Sequence, residues 1–537
     1  MGHKARYFLI WGSVLLASLG CLGGCSKKQQ EKKENCAPLL KIPILSDYPS
    51  LDPHCLAARL SSSTFAKWIF EGLTRLTPEG NYELAGAQSV EISPCQMRYT
   101  FTLKPNGYSN GERVLAQDYE DAWKKAVAPT SNCAKASFFY CIKNAEAIKN
   151  GQAPLESLGV KAEDDNTLIV HLEHPAPYFL RLVSSPLFAP FKIQEGEVLL
   201  NRPYSVSERK PNDYLLLKGN PFFWDASRIK VPSVKICIVQ DPSTVFSLYQ
   251  KKEVDLIGGP FNLISSDILS AEIPKGTFSK QGENISLPFW VCLNTKSLPL
   301  SSSFIRQALS YAMDRNEISK HVLIGDEPLF KPFPDGACYE ESSYDPVKAN
   351  RLFEKGLAEL GLTRETFPPL KLSSCNFLFH RKFSEYMQEK WQRVLGIQVD
   401  LEVQEWAAFY HDMVTGNYQL GGILISSEHN DPLAYLELLS NGSHYSTWKF
   451  LPYQKLISQI KQEKKSLQRE NLIEQAKTIL NKEMPIIAVI NRSQYYSYRS
   501  DLKGLCFDHL GLLDLSYAHF EQDDQKTQNE SQGFHRR

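Results

Sequence analysis

From Tyr99 to Leu103 large apolar and small polar residues alternate, the period of a half-buried strand. Asn110-Gly111 then supplies turn chemistry, and Asp118 to Val127 has the pattern of a helix that ends ahead of Pro129. Farther on, Phe383, Met387, Trp391 and Val394 fall on one stripe at helical spacing, with Gly396 placed to cap the carboxyl end. Ile397, Val399, Leu401 and Val403 alternate with Gln398, Asp400 and Glu402, which predicts a strand. A helix around Trp406 to Met413 leads through Gly416-Asn417 into the apolar strand Ile423 to Ile425. The charged stretch Lys455 to Lys482 keeps Leu456, Ile460, Leu472, Ala476 and Ile479 on helical periods, and stops at Pro485 before a strand over 486 to 490. The aromatic and methionine stripe is read as core. No internal repeat occurs, and the mixture of strands and helices predicts an α/β class.

The strand-helix-strand order around residues 397 to 425 predicts parallel pairing. Glu428 then lies just past a strand's carboxyl end, where open α/β sheets bind their ligands. A catalytic base, a metal ligand, a receptor for a cation and a solvated loop acid all fit that position.

At 537 residues the chain is too long for one core, so two or three domains are expected. The 60 basic and 60 acidic side chains cancel, which removes any global electrostatic argument for nucleic acid or an acidic membrane surface. At the N-terminus, Lys4 and Arg6 precede the apolar run Tyr7 to Leu19, followed by Leu22-Gly23-Gly24-Cys25. The run is short for a membrane span and is interrupted by Gly12-Ser13. It resembles a bacterial lipobox, which implies cleavage before Cys25 and lipidation of that thiol. The charged residues that follow are expected to form a flexible tether, and the polar stretch 522–537 a disordered tail.

The chain contains no G-x-S-x-G, H-E-x-x-H, G-x-x-x-x-G-K-[ST] or G-x-G-x-x-G, so the familiar hydrolase, metalloprotease and nucleotide signatures are missing. His171 and His174 stand three apart at the end of an expected strand, where they face opposite sides, and no metal pair is expected. Ten cysteines remain after Cys21 is lost with the signal and Cys25 is acylated. They are scattered, Cys133 and Cys141 being the closest pair, and no connectivity can be assigned.

Several segments together resemble the extracytoplasmic solute-binding proteins of peptide ABC transporters, the oligopeptide-binding cluster. They are Leu51-Asp52-Pro53, Phe70-Glu71-Gly72-Leu73-Thr74, Tyr108-Ser109-Asn110-Gly111-Glu112 and Ala116-Gln117-Asp118. Then follow Gly219 to Asp225, Glu253-Val254-Asp255, Leu293-Asn294-Thr295, Ile305 to Arg315 and Trp391 to Val399. The order is the family's, and nearly the whole mature chain is covered. Asn201-Arg202-Pro203-Tyr204 departs from it, since the family usually has glycine after the asparagine.

The resemblance implies a two-lobed clamp of the class II periplasmic-binding type with an extra inserted domain. The implied divisions are 1–24 signal peptide, 25–40 lipidated tether, 41–71 with 174–286 and 488–521 as the first lobe, 72–173 as the insertion, and 287–487 as the second lobe. It implies an extended peptide between the lobes, with Glu428 at the acid that meets the ligand's α-ammonium, where aspartate is usual. Ile425, Ser426 and Ser427 would offer backbone groups, with Ala57, Ala58 and Arg59 opposite. Trp290 and Trp406 match aromatic pocket positions. His380 falls where the family has a histidine that approaches the ligand carboxylate, while Met413 and Gly422 stand where arginines often share that task. The implied protein is a lipid-anchored monomer in the periplasm or on the cell surface that delivers peptides to an ABC permease. It has no cofactor, metal, nucleic-acid partner or covalent chemistry. Rival readings are the same fold with another solute, such as a muropeptide, nickel chelate, haem or sugar, or a secreted peptidase.

Overall fold

The computed structural model describes residues 38–521 except 49, 56–59, 78–80, 134, 263, 281–285, 334–343, 427–430, 441–444, 464 and 509. Expectations for the signal peptide, Cys25, the tether and the segment 522–537 lie outside the described residues.

Two lobes are built on separate sheets. In the first, Leu39–Ile44 pairs in parallel with Ser233–Ile238, and Tyr214–Gly219 and Tyr204–Lys210 extend the sheet antiparallel. A second four-stranded sheet, antiparallel throughout, comes from the early part of the chain: Ala87–Ile92, Arg98–Leu103, Thr167–His171 and Val160–Ala162. The expected alternation at Tyr99 to Leu103 is realised, with Tyr99, Phe101 and Leu103 buried. The helix Ala116–Val127 packs on this sheet, and its start is fixed by the Leu115 N–H, which donates to Asp118 Oδ2 at 2.9 Å. Side chains of both sheets, among them Leu40, Leu217, Phe101 and Val170, belong to one continuous hydrophobic core.

The other lobe holds a six-stranded sheet in the order Glu327–Pro328, Ile486–Asn491, Pro288–Leu293, Leu420–Leu424, Leu370–Cys375, Val399–Gln404. The predicted parallel unit is present, with Leu370–Cys375 inserted between the two strands that the helix Trp406–Thr415 connects and parallel to each. Strand periodicity explains how this sheet is covered on both faces. Phe289, Val291 and Leu293 enter one cluster with the helices Ser303–Tyr311, Pro346–Leu360 and Leu378–Leu395, whereas Trp290 and Cys292 enter another. Ile487 and Val489 likewise take the first side, and Ile486 and Ala488 the second. The stripe Phe383, Met387 and Trp391 is core, and Gly396 ends its helix with φ +72°.

Two findings differ in detail from the sequence expectation. The stretch 455–482 is two helices, Leu451–Gln462 and Ser466–Glu483, with Glu463 extended at the break. No apolar side chain occurs from Lys461 to Ser466, so that turn of a continuous helix would bury nothing. The strand Ile486–Asn491 also runs one residue beyond the expected end at 490 and keeps its pairing with Pro288–Leu293 through Asn491.

From Asn491 the chain passes through Arg492, Ser493 and Gln494 into a three-stranded sheet of Leu256–Gly258, Tyr495–Tyr498 and Ser279–Lys280. This is a crossing between the lobes, and the Arg492 N–H donates to the Leu287 carbonyl at 2.9 Å. In the first lobe the departing residue Arg202 is buried. Its guanidinium donates to the Lys67 carbonyl and, at 2.7 Å, to Asp514 Oδ2, which ties the C-terminal segment to the lobe.

Candidate functional site

A cavity of about 1490 Å³ lies between the lobes. Leu45 and Ser61 contribute from the first lobe, Phe379 and Trp406 from the second, and Arg492 to Tyr495 from the crossing. Tyr178 packs against the first-lobe core and also against a second-lobe cluster, so the two sides meet at its margin. Lys382 Nζ lies 3.9 Å from Asp267 Oδ1, joining helices of opposite lobes.

The carboxyl end of Leu420–Leu424 opens directly into this space, with Ile423, Leu424, Ile425 and Ser426 on its wall. Gly421 and Gly422 are needed in that strand for close packing. A Cβ on Gly421 would come within 2.3 Å of Met413 Sδ, and one on Gly422 within 2.6 Å of Phe289 Cζ. Met413 is itself fully buried in the core, so neither of the positions where arginines were sought reaches the cavity wall.

Of the residues expected to face a ligand, Ile425, Ser426, His380 and Trp406 are brought to one cavity. Ser427, Glu428, Ala57, Ala58 and Arg59 lie outside the described residues. The Ile425 N–H is already occupied, donating to the Pro288 carbonyl at 2.9 Å, while Ser426 is exposed. Trp406 begins its helix and stacks on Phe377, with ring centroids 5.6 Å apart and planes 21° from parallel, and on Tyr410 at 5.7 Å. Trp290 is not on the cavity wall. Its place in the strand turns it into the core, where the indole N–H donates to the Pro332 carbonyl and the ring meets Tyr435 edge-on.

His380 sits in the first turn of Leu378–Leu395, with the rings of Phe379, Phe289 and Phe409 within 5.7 Å. Burial, and then the nearby Arg492 charge, push its imidazole down to about 3. At neutral pH it is therefore an uncharged group that can donate or accept one hydrogen bond, and it supplies no positive charge.

Sequence reasoning missed Phe377, Tyr410 and Arg492. Phe377 stands at a helix N-cap, where an apolar residue is unfavourable, and it remains 40% exposed, which is the signal it carried. Arg492 directly follows an apolar strand, the same signature that singled out Glu428.

Among the described residues no cluster of three or more His, Cys, Asp or Glu side chains could hold a metal ion. Cys133 and Cys141 are both free thiols and are not bridged to each other. No described helix is long and apolar enough to cross a membrane.

Residues 81–447 match the family of bacterial extracellular solute-binding proteins, family 5, middle part. The chain is 30% identical over 538 residues to the oligopeptide-binding protein OppA of Bacillus subtilis, covering 95% of this chain and 97% of that protein. It is 29% identical over 542 residues to the dipeptide-binding protein DppE of the same organism, covering 95% and 98%. The crystal structure of a periplasmic oligopeptide-binding protein from Borrelia burgdorferi superposes with a TM-score of 0.80 at 25% identity, covering 90% of this chain and all of the other. The two-lobed fold, the cleft between its lobes and the span of these matches lead to one conclusion: the chain belongs to the family 5 bacterial extracellular solute-binding proteins.

Proposed function

We propose that the cleft binds peptides in extended form and that the protein passes them to an ABC permease from a lipid anchor at Cys25. The observation that carries this reading is the cavity itself. It is larger than the usual ligand pocket of roughly 300–1,000 Å³, and it lies at a strand end with Ile425 and Ser426 on its wall. A peptide supplies main-chain donors and acceptors at every residue, so strand ends hold any sequence, while roomy pockets take varied side chains. The names of the Bacillus subtilis relatives support the same ligand class. Binding and lobe closure are the whole of the mechanism. His380 makes no hydrogen bond to a hydroxyl, thiol or carboxylate among the described residues, so it has no partner there for nucleophilic catalysis.

Within this reading Glu428 receives the α-ammonium of the ligand, because a cation removed from water needs a paired carboxylate to offset its desolvation. Ala57, Ala58, Arg59 and Ser427 offer further backbone groups. The protein is a monomer outside the cytoplasm.

A peptide that bridges two lobes binds only the folded chain, so it raises the melting temperature by mass action. A peptide mixture at about a hundredfold over Kd stabilises by about 2.7 kcal/mol, read by calorimetry, and a sugar mixture leaves the melt unchanged. A response to sugars and none to peptides overturns the ligand class. Glu428→Gln weakens peptides with a free amine by roughly 30-fold, the equivalent of about 2 kcal/mol. N-acetylation weakens binding to the parent protein similarly and has little further effect in Glu428→Gln. Two small additive losses by titration calorimetry would make Glu428 a loop acid. Replacing Cys25 with Ser abolishes metabolic labelling by fatty acid, and labelling that persists removes Cys25 as the anchor.

A further inference from the structure

Arg492 stands where the chain crosses between the lobes, and its side chain, 17% exposed, lines the cavity. Its Nη1 donates to Asp326 Oδ2 at 2.8 Å, and its guanidinium lies over the Phe379 ring, 4.5 Å from the centroid. Asp326 is anchored in turn by the Ser493 N–H, which donates to Oδ1 at 2.9 Å. The guanidinium is thus held at its backbone, at one edge and on one face. Its Nε and Nη2 have no hydrogen-bond partner among the described residues.

Those two nitrogens form the side of a guanidinium whose N–H bonds run parallel, a fork that matches the two oxygens of a carboxylate. Lysine has no such geometry, and a neutral carbonyl fills only half of it. The neighbouring groups leave this charge to act. His380, packed on Phe379 with ring centroids 4.6 Å apart, is neutral. Asp326 is buried, which pushes its carboxyl up to about 6 against the opposing pull of Arg492, and it pairs with the Nη1 edge only. Leu323 and Ile324 add apolar surface to the same cavity, and away from bulk water an ionic hydrogen bond is stronger.

We propose that Arg492 receives a carboxylate of the bound ligand through its Nε and Nη2 edge, with Asp326 holding the opposite edge and Phe379 supporting the plane. This rests on the peptide reading of the cleft. It assigns the positive end of the site to the interlobe crossing, so that a ligand carboxylate bears directly on the segment that must bend for the lobes to close. The carboxylate comes from the peptide's C-terminus or from an acidic side chain, and the chemistry at Arg492 is the same for both.

The test is titration calorimetry of the full mature protein with tri-, tetra- and pentaalanine, each as free acid and as C-terminal amide, together with amides carrying one internal glutamate. Arg492→Gln alone strands the Asp326 carboxylate, so the informative variant is the double replacement Arg492→Gln with Asp326→Asn. In the parent protein amidation weakens binding by roughly tenfold or more, the loss of a charged bidentate pair. In the double variant the amide penalty falls below about twofold. Arg492→Lys, which keeps a cation on Asp326 and removes the fork, shrinks the penalty without abolishing it and serves if the double variant does not fold. Restored affinity in the glutamate amides assigns the contact to a side-chain carboxylate. If the parent binds acid and amide equally, or the penalty is unchanged in the variants, Arg492 is not the receptor and the peptide reading stands. If the parent binds no oligoalanine in any form while the variants keep the parent fold, the peptide reading fails and this proposal fails with it.

Discussion

A sheet buried on both faces has no side chain to spare for a ligand, and the architecture of the second lobe follows from that constraint. Along Pro288–Leu293 and Ile486–Asn491 every residue is buried, odd and even positions serving opposite helical layers except at Ile490, which joins the odd-numbered side past a bulge in the pairing. Contact with a ligand is therefore driven to the points where strands stop. The end of Leu420–Leu424 and the end of Ile486–Asn491 both open on the cavity, where Ser426 and Arg492 stand on its wall. The same constraint explains why Trp290 and Met413 are core residues. One sits within a doubly covered strand, and the other sits on the helix face that packs against Gly421.

Electrostatics in the cleft follow from the same burial. Packing His380 among phenylalanine rings removes its charge at any pH near neutrality. Packing Asp326 beneath the crossing makes it hold a proton more readily. What remains for recognition is a cavity with fixed charge concentrated at a few positions and apolar or aromatic walls elsewhere. Such a site suits ligands that carry charge at their ends and vary in between.

Much of this was legible in the sequence where local periodicity and burial agree. Tyr99 to Leu103, Ala116–Val127 and the stripe on Leu378–Leu395 combine a clear period with a turn or cap signal, so sequence alone located them. Glu428 was conspicuous as an acid at the end of an apolar run. The break at Glu463 was harder, because Leu456 and Ile479 each obey a helical period within their own helix and the signal of the turn between them is only the lack of an apolar side chain from Lys461 to Ser466. Strand order was not legible either. That Leu370–Cys375 lies between Val399–Gln404 and Leu420–Leu424 depends on contacts far apart in the chain. Trp290 and Trp406 look alike as aromatic positions, and only the parity of a strand residue against the start of a helix separates the core indole from the cavity indole.

Mass spectrometry of the small molecules released when protein purified from its native cells is denatured tests whether the cleft holds peptides. Peptides of varied sequence with a free amino terminus are expected. Release of a sugar, a haem or a metal chelate in place of peptides would contradict peptide binding.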